Sequence, residues 1–254
     1  MKKKYYIVTA FVSYLLFLLI TIPAKPVADL LNKNTPLQIQ GVSGTIWNGH
    51  AYSISINNIL LQDTHWSITA WKILLGQLAA DLEGNFRNNR FETEAGSSLT
   101  GTLYINQLNT RLSAEDITEL AAIPLAQLSG IFDIDIESAS WRRGETPEAI
   151  GEIKWNQAAV TVADTVSLGN VTLSLSESEE QLLLADIINQ GGDIKLSGTA
   201  KLLPDAKYAV DIRLTPTATA NDNIKQSLGM FAKRQGDGDY LLKNTGSLEQ
   251  IGLM

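Results

Sequence analysis

The side chains that could carry chemistry in this chain are few and scattered. Its 254 residues hold two histidines, His50 and His65. A zinc site needs three or four converging donors, and neither His-x-His nor His-Glu-x-x-His occurs. There is no cysteine, which removes structural disulfides, thiolate ligands and a cysteine nucleophile. A Gly-x-Ser-x-Gly elbow and a Walker loop are both missing from the sequence. Gly236-Asp237-Gly238 lacks the third glycine and the preceding buried strand of a dinucleotide site. Asp133/Asp135 and Glu92/Glu94 are each two residues apart, so on strands each pair shares one face. That face reads most simply as solvated. The expectation is no catalytic residue, no metal and no cofactor.

The elements that would carry these residues are strands. Tyr52–Ile56, Ile131–Glu137, Val171–Ser176 and Tyr208–Leu214 alternate apolar and polar residues. Period-2 alternation buries one face and solvates the other, as in a mostly antiparallel sheet. Phe132, Ile134, Ile136, Val171, Leu173, Leu175, Val210, Ile212 and Leu214 belong on one face; Asp133, Asp135, Asp211 and Arg213 belong on the other. Glycine precedes five such runs, at Gly101, Gly130, Gly151, Gly169 and Gly192, and suggests a chain of hairpins turning at glycine. Helices are expected over 113–122, with Ser113 as N-cap, and over 221–233, with Ile224, Leu228 and Phe231 as its apolar stripe. A short surface helix carrying Val27, Leu30 and Leu31 should end before Pro36.

The N-terminus is different in kind. Lys2-Lys3-Lys4 is followed by an uncharged apolar run to Pro23. As a helix, 5–23 rises about 28 Å at ~1.5 Å per residue, enough for a ~30 Å hydrocarbon core. Ile7, Phe11, Leu15, Leu16, Leu18, Leu19 and Ile22 would face lipid, with the lysines on the cytoplasmic side. The run exceeds a usual signal-peptide core and no small-x-small site follows it, so it reads as an uncleaved anchor. The expected organisation is a cytoplasmic tail over 1–4, a transmembrane helix over 5–23 and a periplasmic β-rich domain over 25–254. The fold class is mostly β: a twisted, curled antiparallel sheet, groove or sandwich, with two or three short helices. The net charge of −7 disfavours binding to a phosphate backbone, so no nucleic acid is expected as a partner.

Trp47, Trp66, Trp71, Trp141 and Trp155 read either as core between sheets or as an exposed wall for a partner, a lipid or the membrane interface. Two of their segments carry a resemblance. Val42-Ser43-Gly44-Thr45-Ile46-Trp47-Asn48-Gly49, about twenty residues past the anchor, resembles the Val-x-Gly-Thr-h-Trp-x-Gly element of the type II secretion system protein N family (h, an apolar residue). Trp66, Ile68, Ile73, Leu74 and Gly76, around Trp71, are similar to that family's next element, with Ala70 standing where it has proline. Gly192–Gly198, Tyr208 and Gly238–Leu248 are similar to its distal half.

The resemblance implies a non-enzymatic accessory component of the inner-membrane part of an export machine. Its partners would be the inner membrane and other type II secretion components, and Gly44, Thr45, Trp47, Gly49, Trp66, Trp71 and Gly76 would be its motif or interaction residues. It also implies a likeness to AsmA-type proteins. The alternative reading is therefore a lipid-handling envelope protein holding phospholipid in an apolar groove.

Overall fold

The computed structural model describes residues 2–56, 59–87, 89–120, 127–161, 164–177, 182–203 and 207–247, the side chains of 2–4 and 120 excepted. The chain divides into two compact units, Met1–Phe91 and Glu92–Met254.

The first unit opens with two helices, α1 (Lys2–Ile20) and α2 (Ala24–Asn34). Four strands follow, β1 (Gln38–Gln40), β2 (Ser43–Gly44), β3 (Asn48–Ile56) and β4 (Ile59–Ile68). A single helical turn, α3 (Ala70–Ile73), leads to β5 (Gln77–Phe86), and β6 (Asn89–Ser98) crosses into the second unit. The strands pair antiparallel in the order β1-β3-β4-β5, with β2 also against β3. Small side chains build the centre: Ala51 on β3 and Ala79 on β5 are buried, with buried Thr64 on β4, the strand between them. Ala24 and Ala28 are the buried face of α2, while its Val27, Leu30 and Leu31 stay exposed. The expected surface helix before Pro36 is therefore present.

The expected transmembrane helix over 5–23 is not found in that form. The helix stops at Ile20, and Thr21 returns both its N–H and its hydroxyl to the Phe17 carbonyl. Among the described residues no helix is long and apolar enough to cross a membrane. Residues 5–20, free of charge, rise only about 24 Å at ~1.5 Å per residue, against a ~30 Å hydrocarbon core. Their apolar side chains are nonetheless exposed on every face of the helix.

The second unit continues with β7 (Leu103–Ser113), α4 (Ala114–Leu120), β8 (Gln127–Trp141), β9 (Glu148–Thr161), β10 (Thr165–Glu177) and β11 (Leu183–Gln190). After these come β12 (Ile194–Leu203), β13 (Lys207–Pro216), α5 (Asp222–Phe231), β14 (Lys233–Arg234) and β15 (Tyr240–Ser247). From β7 to β13 each strand pairs antiparallel with the next, and the path ends β13-β15-β14. The fold is mostly antiparallel β with few short helices, as expected.

Register puts the alternating residues into rows. Ile134 faces Ile153, which faces Leu173, then Ile187, Gly198 and Ile212. Phe132, Trp155 and Val171 form a second row, and Leu175, Ala185, Ala200 and Val210 a third. Phe132 and Trp155 stack with ring centroids 4.9 Å apart. Asp133 faces Lys154, and Asp211 faces Lys243, on the alternate positions. All nine predicted apolar residues thus share a face. Of the nine, only Ile136 and Val171 are buried and the other seven are half-buried.

Three of the predicted turn glycines are elsewhere. Gly130, Gly151 and Gly169 lie inside β8, β9 and β10, not between hairpins. Register slips beside Gly130 and Gly169 mark bulges. Gly130 has φ +113, and a Cβ there would stand 2.4 Å from the Asn156 carbonyl. A bulge opposes two residues to one and needs such backbone, so glycine serves it as well as a turn. The predicted cap is present, since Ser113 Oγ accepts from the Asp116 N–H at 3.1 Å; the structure adds a second, in which the Asn221 side chain accepts from the Ile224 N–H at 2.8 Å. Ile224 is buried, but Phe231, expected on the same stripe, is exposed. Residues 121–126 and Leu248 lie outside the described residues.

Candidate functional site

Five of the seven residues singled out as a motif, Gly44, Thr45, Trp47, Gly49 and Trp66, meet at one place in the first unit, the C-terminal end of α1. A helix leaves its last carbonyls without partners in the helix. Here one of them is taken from far along the chain: the Trp47 indole N–H donates to the Leu19 carbonyl at 2.7 Å. Beside it the Ile46 N–H donates to the Ile22 carbonyl at 3.0 Å, and Pro23 forms a bridge with Thr45.

The turn that presents Trp47 is fixed by its own residues. The Thr45 N–H donates to the Asn48 carbonyl at 2.9 Å, and the Asn48 N–H donates back to the Thr45 hydroxyl at 3.1 Å. Gly44 holds φ +84, and a Cβ there would lie 2.6 Å from the Asn48 carbonyl. Gly49 is buried, and a Cβ on it would stand 2.3 Å from the ring of Trp66. That ring is held in turn, since the Trp66 indole donates to the Ile46 carbonyl at 3.0 Å. The Ile68 N–H closes the arrangement on the Trp47 carbonyl at 2.7 Å. Gly44, Thr45, Trp47, Gly49 and Trp66 therefore form one clasp around the end of α1.

Of the residues expected in the membrane helix, Leu19 within α1 and Ile22 beyond its end enter this clasp through backbone carbonyls. Ile7, Phe11, Leu15, Leu16 and Leu18 are exposed along α1. Trp71 is not part of the clasp. It lies exposed on α3, beside exposed Ile73, Leu74 and Leu75, while Gly76 ends the turn at φ +73. The two tryptophans of one sequence element thus point to different environments.

Sequence reasoning left the histidines apart, and the fold brings them together. His50 and His65 are directly opposite on β3 and β4, with ring centroids 4.5 Å apart, and His50 Nε2 is 3.7 Å from Asp63 Oδ1. The pairing arithmetic could have found them, because a register that sets Ile56 opposite Ile59 sets 50 opposite 65. Among the described residues no group of three or more histidine, cysteine or carboxylate side chains could hold a metal ion.

A second feature lies within the second unit. Leu103, Ile105, Ala139, Trp141, Ala149 and Leu183 line a mostly apolar hollow of about 410 Å³. Flat strands stand ~4.8 Å apart, which would separate β7 from β11 by about 19 Å. Since both strands line this hollow, the sheet curls here. The Tyr104 hydroxyl in its wall is buried without a hydrogen-bond partner.

Clasp and sheet together define a class: an antiparallel β protein tied by a tryptophan turn to an exposed apolar helix. Within that class, residues 35–243 match the family model described as type II secretion system (T2SS), protein N. Curated proteins named type II secretion system protein N are similar over most of their length. The one from Vibrio cholerae serotype O1 is 23% identical over 89% of this chain and 91% of its own. The one from Aeromonas hydrophila is 24% identical over 98% of this chain and 100% of its own. The one from Klebsiella pneumoniae is 23% identical over 82% and 81%. No solved structure matches the chain. The chain belongs to the type II secretion system protein N family.

Proposed function

We propose that this protein is a non-enzymatic accessory component of a type II secretion machine, held at the inner membrane by α1, with residues 25–254 in the periplasm and 1–4 in the cytoplasm. The clasp is the observation that carries this reading. A β body that commits Trp47, Thr45, Gly44 and Gly49 to the end of an exposed apolar helix couples that body to whatever the helix is seated in. Apolar side chains exposed around a whole helix are unfavourable in water and favourable in lipid. Crossing would draw on local bilayer thinning, on lysines reaching to the headgroups and on the extended residues after Ile20. The β body then assists assembly or function of the machine by contacting its other components.

The test has two arms. Alkaline carbonate should leave the full chain in the inner-membrane pellet, and release into the supernatant overturns the anchor. A chromosomal deletion should reduce secretion of the machine's cargo and be restored by the full chain; unimpaired secretion overturns the accessory role.

The curled hollow and the seven half-buried row residues favour a second reading, in which the open apolar face of the second unit holds acyl chains. Native mass spectrometry of protein extracted in mild detergent, followed by lipid analysis, would show co-purified phospholipid. Protein free of lipid removes this reading.

A further inference from the structure

We infer that the α3 tip, Trp71 to Leu75, is a second membrane contact of this protein, dipping into the lipid–water interface beside the end of α1. The inference rests on the proposed seating of α1 in a bilayer. The tip is apolar and bare: Trp71 is 59% exposed, Leu74 88% and Leu75 66%, and Ile73 is exposed with them. Core packing cannot account for four adjacent large apolar residues that pack on so little. Such clusters mark interaction sites.

Three observations choose lipid as the occupant. The first is position. The Trp47 indole holds the Leu19 carbonyl at the end of α1, and the Trp47 carbonyl holds the Ile68 N–H, two residues before α3 begins. The tip therefore springs from the same clasp that grips the helix end. If α1 emerges from a bilayer there, α3 starts at the surface of that bilayer.

The second is composition. No acidic residue lies between Asp63 and Asp81, although the chain as a whole carries a net charge of −7. Lys72 stands 5.9 Å from the Trp71 ring centroid, the only charge in the tip and a cation. Tryptophan with a neighbouring lysine suits the headgroup level of an anionic leaflet. The third is rigidity. Lys72, Leu74, Leu75 and Gly76 each donate a backbone N–H to the carbonyl three residues earlier, so the tip satisfies these amide N–H groups internally. Backbone entering the interface without such partners would be penalised.

The absence of cysteine from the chain makes the test clean. Full-length protein carrying one introduced cysteine, Leu74→Cys, Leu75→Cys, Phe11→Cys or Leu99→Cys, is labelled with an environment-sensitive fluorophore. It is reconstituted into phosphatidylethanolamine–phosphatidylglycerol vesicles whose acyl chains are brominated at either a shallow or a deep carbon. Leu99 is the comparison site, since it is 89% exposed in a turn of the second unit.

The expected result is loss of fluorescence at 74 and 75 with shallow bromine, at 11 with deep bromine, and at 99 with neither. Quenching at 11 without quenching at 74 or 75 overturns the tip contact, keeps the anchor and leaves the tip for a protein partner. Equal quenching at 74 and 99 also overturns it, because any exposed leucine would then touch lipid. Quenching at 74 and 75 without quenching at 11 supports the tip contact and refutes the anchor.

Discussion

The clasp of the first unit and the sheet of the second hold their shape by opposite means. In the clasp, single atoms decide the geometry: one indole N–H on the Leu19 carbonyl, one missing Cβ at Gly49. In the sheet, a repeated pattern decides it: Ile134, Ile153, Leu173, Ile187 and Ile212 lie in one row because every strand alternates in phase. A pattern tolerates changes of shape and fails on changes of polarity. A single-atom arrangement fails on small changes of shape.

The largest effect should come from breaking the pattern. Val171 is buried against Ala158 and Ile187. Val171→Asp places an unpaired charge there and should cost about 4 kcal/mol, read as a fall in the urea midpoint. Leu173→Met, on the same strand and half-buried, keeps polarity and volume and should cost less than about 1.5 kcal/mol. Similar losses from both would show that the sheet is specified atom by atom after all.

Next is Gly49→Ala. One methyl group must enter where the Trp66 ring already stands, and the ring is pinned by its bond to the Ile46 carbonyl. The expected cost is about 2–3 kcal/mol. It should be accompanied by faster exchange of the Ile46 and Ile68 amides, whose bonds hold the turn. A glycine-to-alanine change with unaltered exchange would mean that the clasp yields as readily as the sheet.

Trp47→Phe tests a single hydrogen bond of the clasp. It keeps most of the apolar ring and removes only the donor to Leu19, so the loss should be near 1 kcal/mol. The readout is increased protease cleavage between the helix and the body, at residues 20–23, without change in the second unit.

The same contrast decides what was legible beforehand. The rows of the sheet could be read from alternation alone, and the cap at Ser113 from local chemistry, because both depend on near neighbours. The bulges at Gly130 and Gly169 could not, since an extra residue in one strand shows only against its partner. The clasp was visible as a set of residue types, Gly44 to Gly49 and Trp66, but its purpose was not. The bond that explains Trp47 reaches back 28 residues to a backbone carbonyl, a group every residue has. The end of α1 was misplaced for a related reason. Apolarity continues to Ile22, but the helix has ended at Ile20 and the Ile22 carbonyl belongs to the clasp.

The smallest effect should come from the charged rows on the solvated face of the sheet. Arg111 pairs with Asp133, and Lys154 with Glu152; both cations are well exposed and both carboxylates partly so. Hydrogen bonding to Asp133, and then its charge, raises the Arg111 pKa above its ordinary value; Glu152 does the same for Lys154. A cation with a raised pKa adds stability that is fully present below its unfolded-state pKa and is lost only as pH rises through the folded one. For these two groups that window lies in strong alkali. Whatever these two pairs contribute should therefore stay constant between pH 6 and pH 9. Exposed pairs are also screened by salt and hold long side chains at an entropic cost. Arg111→Gln with Lys154→Gln should accordingly leave Tm unchanged within error across that pH range. A clear fall in Tm at low salt, relieved by neither pH nor added salt, would show that the solvated face also contributes to the fold, and the division between patterned sheet and atom-by-atom clasp would lose its force.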